Sequence, residues 1–482
     1  MHLAAPAPSH TSPQWPWTLA LFLPPLLLWA SLQFGVGFSG FYGQDSHAYL
    51  DYSRRIQHFL AGGPVPGPFF WPANFSFLGA ISAMAGGSAF LWLPLLSALS
   101  FAGLMVLFRN AIMTFHHAQT VPATIFTMLT LGISPAFLRA SAVAMSDMLA
   151  LSLVFATFFW YHRFSNLPQL RWALLTCSAA GLALGTRYAV APLLLPFGLA
   201  FGWVLLKKGK IWWLALAGAA LLAGLLPTWW VSGSIWGWLP TTQVHSFSFA
   251  NMLQSDFPNH TDGHLSYAQI NLAFFSGPFY RPDYCLLIPL LLLLSGPRDF
   301  QSKSLRLGFA AACFYLLFLA GLQVQNPRFI LPALPFLVLP TYSSWVRLLS
   351  VFSMRTLKIG LAILWISASL YLANRLLQPL ILQDRLEKQV AQSLEKLGPG
   401  PLYTFGMDIA LPTHGVNRPI VSLWGQTLTH FDTPSFALFN TSLFSQQWAN
   451  QLPMANWEKL NANYQLKPLQ SFANGWQLFR VE

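Results

Sequence analysis

Apolar stretches about as long as a membrane is thick recur through most of this 482-residue chain. A helix needs about 20 predominantly apolar residues to cross the hydrocarbon core of a bilayer. Hydrophobic residues make up 55% of the chain and charged residues only 8%, whereas about a quarter of a soluble domain is charged. We therefore predict an all-α polytopic membrane bundle of about eleven helices near 17–36, 88–108, 120–138, 148–162, 171–186, 189–206, 211–230, 278–295, 306–322, 329–346 and 357–374.

The net charge of +12 is concentrated in the loops between these stretches. Cytoplasmic loops of membrane proteins carry an excess of Lys and Arg. Twelve of the 26 basic residues fall in alternate short loops, and of the seven acids before residue 375 only Asp299 lies in one of these loops. The pattern predicts a cytoplasmic N-terminus, an extracytoplasmic C-terminal region and no nucleic-acid partner. The basic loop residues are Arg109, Arg163, Arg171, Lys207, Lys208, Lys210, Arg298, Lys303, Arg306, Arg347, Arg355 and Lys358.

From about residue 380 the composition becomes that of an ordinary soluble domain, with nearly balanced acids and bases. Strand patterns occur at 402–406, 419–424, 436–440 and 476–481, and helical patterns at 384–397 and 443–460. We predict a transmembrane domain at 1–379, with long outer loops at 37–87 and 231–277, and a small extracytoplasmic α/β domain at 380–482.

Asp45 lies just past the first apolar stretch, in the segment Gly43-Gln44-Asp45-Ser46-His47-Ala48-Tyr49. A carboxylate beside a bilayer is costly unless it is paired or hydrated. In the residues that follow, apolar and polar side chains fall on opposite faces of a helix. This pattern predicts a helix lying in the membrane interface. Asp45 either caps the N-terminus of that helix, where Asp is favoured, or is a catalytic carboxylate.

Four further charged residues are predicted at the outer ends of spans, on the same side of the bundle as Asp45: Arg139, Asp147, Arg187 and Arg328. An Arg at a helix end either extends toward the lipid headgroups or binds a phosphate, for which its guanidinium is well suited. This shared location favours a site at which guanidiniums and carboxylates meet.

The long outer loop at 231–277 contains His260, Asp262 and His264. Imidazole and carboxylate are ordinary ligands of divalent metal ions, so these residues are candidate ligands. The alternative is a polar loop without a metal. We expect no other cofactor, because the chain has neither a P-loop nor a dinucleotide-binding fingerprint.

Four segments resemble the GT-C membrane glycosyltransferases, most closely the branch that contains the lipid A aminoarabinose transferase and the protein O-mannosyltransferases. They are Asp45-Ser46-His47-Ala48-Tyr49, Ser146-Asp147, Gly181-Leu182-Ala183-Leu184-Gly185-Thr186-Arg187-Tyr188 and Arg328-Phe329-Ile330-Leu331-Pro332-Ala333-Leu334-Pro335. The chain departs from those families in having a single acid at Asp45 and in reading Trp71-Pro72-Ala73-Asn74 before the second span. It also lacks the Trp-Trp-Asp signature of oligosaccharyltransferases.

The resemblance implies a GT-C-like fold and a glycosyltransferase of the bacterial inner membrane. Such an enzyme would transfer a sugar from a polyprenyl-phosphate donor to a glycan, lipid or protein acceptor on the extracytoplasmic side. It also implies that Asp45 and Asp147 are catalytic, that Arg187, Arg328 and Arg139 bind the donor phosphate, and that His47, Tyr49 and Tyr188 contact donor or acceptor. The alternative is a transporter or flippase for a glycolipid.

Overall fold

The computed structural model describes residues 15–234, 246–259, 263–284, 288–351 and 354–482. Most of these residues are helical. The α-helices are α1 (Trp15–Ala30), α2 (Gly43–Leu60), α3 (Asn74–Ala85), α4 (Ala89–His116), α5 (Thr120–Thr127), α6 (Pro135–Ala142), α7 (Asp147–Asn166), α8 (Leu170–Leu184), α9 (Ala191–Lys207), α10 (Trp213–Ser232), α11 (Asn271–Phe275), α12 (Ile288–Leu293), α13 (Lys303–Ala320), α14 (Pro327–Ile330), α15 (Leu334–Val338), α16 (Tyr342–Val351), α17 (Arg355–Glu395), α18 (Ala410–Thr413), α19 (Thr441–Gln447) and α20 (Leu452–Asn463). The strands are β1 (Asp256–Asn259), β2 (Gly263–Ser266), β3 (Leu402–Thr404), β4 (Ile420–Ser422), β5 (Ser435–Phe439), β6 (Leu466–Ser471) and β7 (Gln477–Val481).

The chain forms a helical membrane bundle with several spans. Within the described residues, seven helical segments are long and apolar enough to cross a bilayer, and an eighth candidate is a pair of helices bent by 72°. The seven are Trp15–Val36, Ala89–His116, Tyr188–Lys207, Trp213–Ser232, Lys303–Ala320, Pro327–Val351 and Arg355–Glu395, and the bent pair is Thr120–Gly132 with Pro135–Ala142.

The structure therefore supports seven or eight spans by length and composition, where the sequence predicted eleven. The predicted spans at 148–162 and 171–186 do form helices, but α7 has polar residues at both ends and α8 has only 15 residues. The predicted span at 278–295 is interrupted, since α12 covers only Ile288–Leu293 and residues 285–287 lie outside the described chain.

Two helices fill the first long loop, as the helical pattern there predicted. Helix α2 buries Tyr49, Tyr52 and Ile56 on its apolar face, packs against α3 and α4, and ends before Gly62. It begins at Gly43 rather than after Asp45, and the N-cap residue is Tyr42. Asp45 therefore lies in the first turn, where an acid interacts favourably with the helix dipole, and the N-cap alternative for this residue is wrong.

The last apolar helix continues out of the bundle and joins a small sheet. Helix α17 has 41 residues and is therefore about 60 Å long, twice the thickness of a hydrocarbon core. Its last turns pack on a five-stranded sheet of order β4-β3-β5-β7-β6. Strand β3 runs parallel to β4 and β5, whereas β7 runs antiparallel to β5 and β6, so the sheet is mixed. We call residues 402–482 the C-terminal sheet region.

Candidate active site

A cavity of about 440 Å³ lies between α2, α6, α14 and α17. The first turn of α2 forms one side of it, and Gln44 Nε2 donates a hydrogen bond to Asp408 Oδ1 of the sheet region at 3.2 Å. The charged side chains in its wall are Asp45, Arg139, Asp147, Arg281, Asp283 and Arg328. The apolar part of the wall includes Leu331, Leu376 and Leu380. The cavity wall therefore combines charged and apolar side chains.

Arg328 connects the two candidate carboxylates. Its Nη2 donates to Asp45 Oδ2 at 3.1 Å, and its Nη1 lies 3.9 Å from Asp147 Oδ2. The Asp45 and Arg328 side chains are one third and one quarter exposed, so both are accessible from the cavity. Asn326 fixes the local geometry, because its Oδ1 accepts from the backbone N–H of Arg328 at 3.1 Å and from Nε at 3.4 Å. Pro327 at the first position of α14 suits a helix start.

Asp147 and Arg187 form a buried ion pair behind Arg328. Asp147 begins α7, and its Oδ1 lies 3.2 Å from Arg187 Nη1. The two side chains are 4% and 5% exposed. Burial acts to lower the pKa of Arg187, but the Asp147 carboxylate and other nearby groups raise it overall. Arg187 is absent from the cavity wall, in contrast to Arg139 and Arg328.

Aromatic and hydroxyl groups surround this pair. The Arg187 guanidinium lies over the rings of Trp71 and Phe329, 5.8 and 5.2 Å from their centroids. Ser146 Oγ lies 3.4 Å from Arg187 Nη1 and 2.8 Å from the hydroxyl of Tyr49. Burial raises the pKa of Tyr49, so its phenol remains protonated. Within the described residues, Arg187 Nη2 and Asp147 Oδ2 have no hydrogen-bond partner, which leaves two buried polar atoms of the pair unsatisfied.

Close packing of α8 against α10 determines the position of Arg187. A Cβ on Gly181 of α8 would lie 2.0 Å from the carbonyl oxygen of Leu221 on α10, so only glycine permits this approach. At the end of the same contact, Asn74 Nδ2 donates to the Gly224 carbonyl at 2.9 Å, and the backbone N–H of Asn74 donates to the Gly185 carbonyl at 3.0 Å. The first residue of α3 is thereby attached to the residues just before Arg187 and to α10.

The remaining predicted site residues lie at different distances from this cluster. Tyr49 is buried beside Ser146, and Tyr188 stacks on Trp71 with centroids 5.8 Å apart. His47 is buried and lies against Glu387 and His414. His264 is paired with Asp256 in the β1–β2 hairpin. His260 and Asp262 lie outside the described residues, so the predicted metal site in this loop has only His264 described.

Sequence reasoning missed Arg281, which forms a 2.8 Å ion pair with Asp283 in the cavity wall. Asp283 is one of the six acids before residue 375 that lie outside the basic loops, and the sequence assigned it no role. Both residues follow a short helical turn at Gly277–Phe279 that interrupts an otherwise apolar stretch. A charged pair within a predicted span is a signal of function that could have been used.

Comparison with known proteins gives a result at the level of fold. No family model matches the sequence, and no curated protein matches it in a sequence comparison. Among solved structures, ArnT from Cupriavidus metallidurans bound to undecaprenyl phosphate matches with a TM-score of 0.61 and 14% identity, over 96% of this chain and 98% of that one. The apo state of ArnT matches with a TM-score of 0.60 and 13% identity, over 94% and 97%.

The chain has a GT-C-like fold. The resemblance inferred from the short motifs is confirmed at this level, since the likeness to ArnT extends over nearly the whole of both chains. A weaker likeness, with a TM-score of 0.48 and 13% identity, is to the mycobacterial arabinofuranosyltransferase AftD. It covers 97% of this chain and 40% of AftD.

Proposed function

We propose that this protein is an integral membrane glycosyltransferase that moves a sugar from a polyprenyl-phosphate donor to an acceptor hydroxyl on the extracytoplasmic side. The observation that carries the proposal is the cavity in which the Arg328 guanidinium faces the carboxylates of Asp45 and Asp147. The GT-C-like fold supports it, because ArnT, a similar solved structure, was solved with undecaprenyl phosphate bound.

The donor phosphate would bind to charged side chains of the cavity wall. Arg328 and Arg139 line the cavity together with Asp45, and Arg is the residue best suited to paired hydrogen bonds with phosphate oxygens. The polyprenyl chain would lie along the apolar side formed by Leu376 and Leu380 of α17. We assign Arg187 a positioning role instead, because it lies behind Asp147 and holds that carboxylate in place.

The reaction would be a displacement at the anomeric carbon. The acceptor oxygen forms a bond to this carbon as the bond to the phosphate oxygen breaks, and the polyprenyl phosphate leaves with the bonding electron pair. Arg328 and Arg139 stabilise the negative charge that develops on the leaving phosphate. Asp45 takes the proton of the acceptor hydroxyl as a general base, and Asp147 orients Arg328 and the acceptor.

Donor binding tests the proposal. Purified protein in detergent should bind undecaprenyl phosphate, and Arg328→Ala should weaken this binding at least about tenfold, since a hydrogen bond to a charged group contributes about 1.5–3 kcal/mol. Arg328→Lys should restore part of the affinity, because the charge remains but the planar fork is lost. Arg55→Ala is the matched control, since Arg55 is exposed on α2 and paired with Asp51. Equal affinities for the Arg328→Ala and Arg55→Ala variants would refute the assignment.

A further inference from the structure

His47, Glu387 and His414 meet at a point where three parts of the chain join. His47 lies on α2, Glu387 on the last part of α17, and His414 just after α18 in the C-terminal sheet region. The Nε2 atoms of both histidines lie 3.3 Å from the same oxygen, Glu387 Oε2. The side chains are 0%, 3% and 5% exposed, so the cluster is shielded from solvent. None of the three lines the cavity that contains Asp45.

The hydrogen bonds around His47 determine where its proton is. The single hydroxyl proton of Thr413 is donated to the carbonyl oxygen of Ala410 at 2.6 Å. Thr413 Oγ1 can therefore only accept from His47 Nδ1, which lies 2.8 Å away. With the proton on Nδ1, the Nε2 atom of a neutral His47 presents a lone pair to the Glu387 carboxylate. Two lone pairs that face each other at this distance require a cation between them.

That cation is either a second proton on His47 or a metal ion, and the geometry favours the metal. A proton on Nε2 would be donated to Glu387, yet within the described residues the 3.3 Å contact between Nε2 and Oε2 does not have the geometry of a hydrogen bond. The candidate ligand atoms of the three residues all lie within 4.8 Å of one another. Bonds of about 2.0–2.1 Å in a tetrahedral zinc site separate neighbouring ligand atoms by about 3.3–3.4 Å. Both nitrogen-to-oxygen distances here are 3.3 Å, and the contact between His414 Nε2 and Glu387 Oε2 also has the geometry of a hydrogen bond, which metal binding would replace.

The surroundings also resemble those of a metal site. Histidine ligands of metals usually donate the other ring N–H to a neighbouring acceptor, as His47 does to Thr413. Ligating carboxylates are held by hydrogen bonds too, and Glu387 Oε1 accepts from Gln383 Nε2 at 2.9 Å. Two histidines and one glutamate form a known set of three zinc ligands, with a fourth position left for water.

We propose that His47, Glu387 and His414 bind one Zn²⁺ ion. This site is separate from the loop that contains His264. The ion would link α2 to α17 and to the C-terminal sheet region. Because its ligand His47 is two residues away from Asp45, the ion would also hold the first turn of α2 in place. The proposal goes beyond the glycosyltransferase assignment and does not depend on it, because metal binding is measured without a sugar donor.

Metal content of the full-length protein tests the site. The protein is purified in detergent with a histidine-free affinity tag, stripped with a chelator, reloaded with Zn²⁺ and dialysed. We expect about one Zn²⁺ per chain by mass spectrometry of the metal, and a loss of most of it in Glu387→Gln and His414→Asn. His430→Asn is the matched control and should keep the ion, because His430 lies in the same region but against Tyr464. Wild-type protein that retains no zinc, or ligand variants that retain as much as the control, would overturn the proposal.

A variant that gains a spectroscopic signal distinguishes the loss of a metal ligand from misfolding of the protein. Thiolate is a strong zinc and cobalt ligand, so His414→Cys should still bind one metal ion. With Co²⁺ in place of zinc, this variant should gain a near-ultraviolet charge-transfer band from sulfur to cobalt, and His430→Cys should not. An ion-pair cluster that binds no metal predicts no such band in either variant, and that result would contradict the site.

Discussion

The guanidinium of Arg187 lies 3.2 Å from the carboxylate of Asp147, and the two side chains are almost completely buried. The pair joins the start of α7 to the residues that follow α8, behind the cavity wall. Removing one partner of a buried ion pair leaves an uncompensated charge, which typically costs about 3–5 kcal/mol. Substitutions of Arg187 and Asp147 should therefore have strongly coupled effects on the free energy of unfolding.

A double-mutant cycle measures this coupling. We expect Arg187→Met and Asp147→Leu each to lower the free energy of unfolding by about 3–5 kcal/mol, and the double variant to lose much less than their sum. The exposed pair Arg55 and Asp51 on α2 is the control, and its coupling should be at most about 1 kcal/mol. Equal coupling energies for the two pairs would show that Arg187 does not hold Asp147.

The contact between α8 and α10 should tolerate no side chain at Gly224. A Cβ there would lie 2.4 Å from the backbone nitrogen of Leu182, whereas a Cβ on Gly218 of the same helix would meet nothing within 4 Å. Overpacking costs about 1–3 kcal/mol, so Gly224→Ala should lower the unfolding temperature and Gly218→Ala should not. Thermal unfolding in detergent compares the two. Equal unfolding temperatures would contradict the close packing.

The charge bias of the loops predicts the orientation of the bundle. Residues near 300 should be cytoplasmic and the C-terminal sheet region extracytoplasmic. Alkaline phosphatase needs disulfides and is active only outside the cytoplasm. A fusion after Glu482 should therefore be active and a fusion at Ser302 inactive. The opposite pattern would place Asp45 at the cytoplasmic side and refute an extracytoplasmic reaction.

The sequence predicts the polar cluster well because charged residues at membrane-helix ends are few. Asp45, Asp147 and Arg328 were grouped by their position alone, and the structure brings their side chains to one cavity. The sequence could not predict that Arg187 lies behind the cavity wall, because its position depends on the angle at which α8 meets α10. The resemblance implied that His47 contacts donor or acceptor, but the side chain is buried against Glu387 and His414, which are distant in sequence.

In the C-terminal region, four strands with apolar residues were predicted and one mostly exposed strand was missed. Strands β3, β4, β5 and β7 carry apolar residues and were recognised, whereas β6 is an edge strand with mostly exposed side chains and no alternating pattern. The helix predicted at 443–460 is divided into α19 and α20, because Asn450 adopts a left-handed backbone conformation with a φ of 61°. A local break of this kind hardly changes the hydrophobic pattern of the sequence.

The central claim is that the Asp45 carboxylate takes a proton during transfer. Asp45→Asn keeps the shape of the side chain but removes its charge, and Asp51→Asn makes the same change at an exposed position of α2. The most direct measurement is the turnover of a polyprenyl-phosphate sugar by the purified, folded variants. A general base predicts a loss of at least about a hundredfold for Asp45→Asn and near-normal turnover for Asp51→Asn. Near-normal turnover in both variants would contradict the role of Asp45.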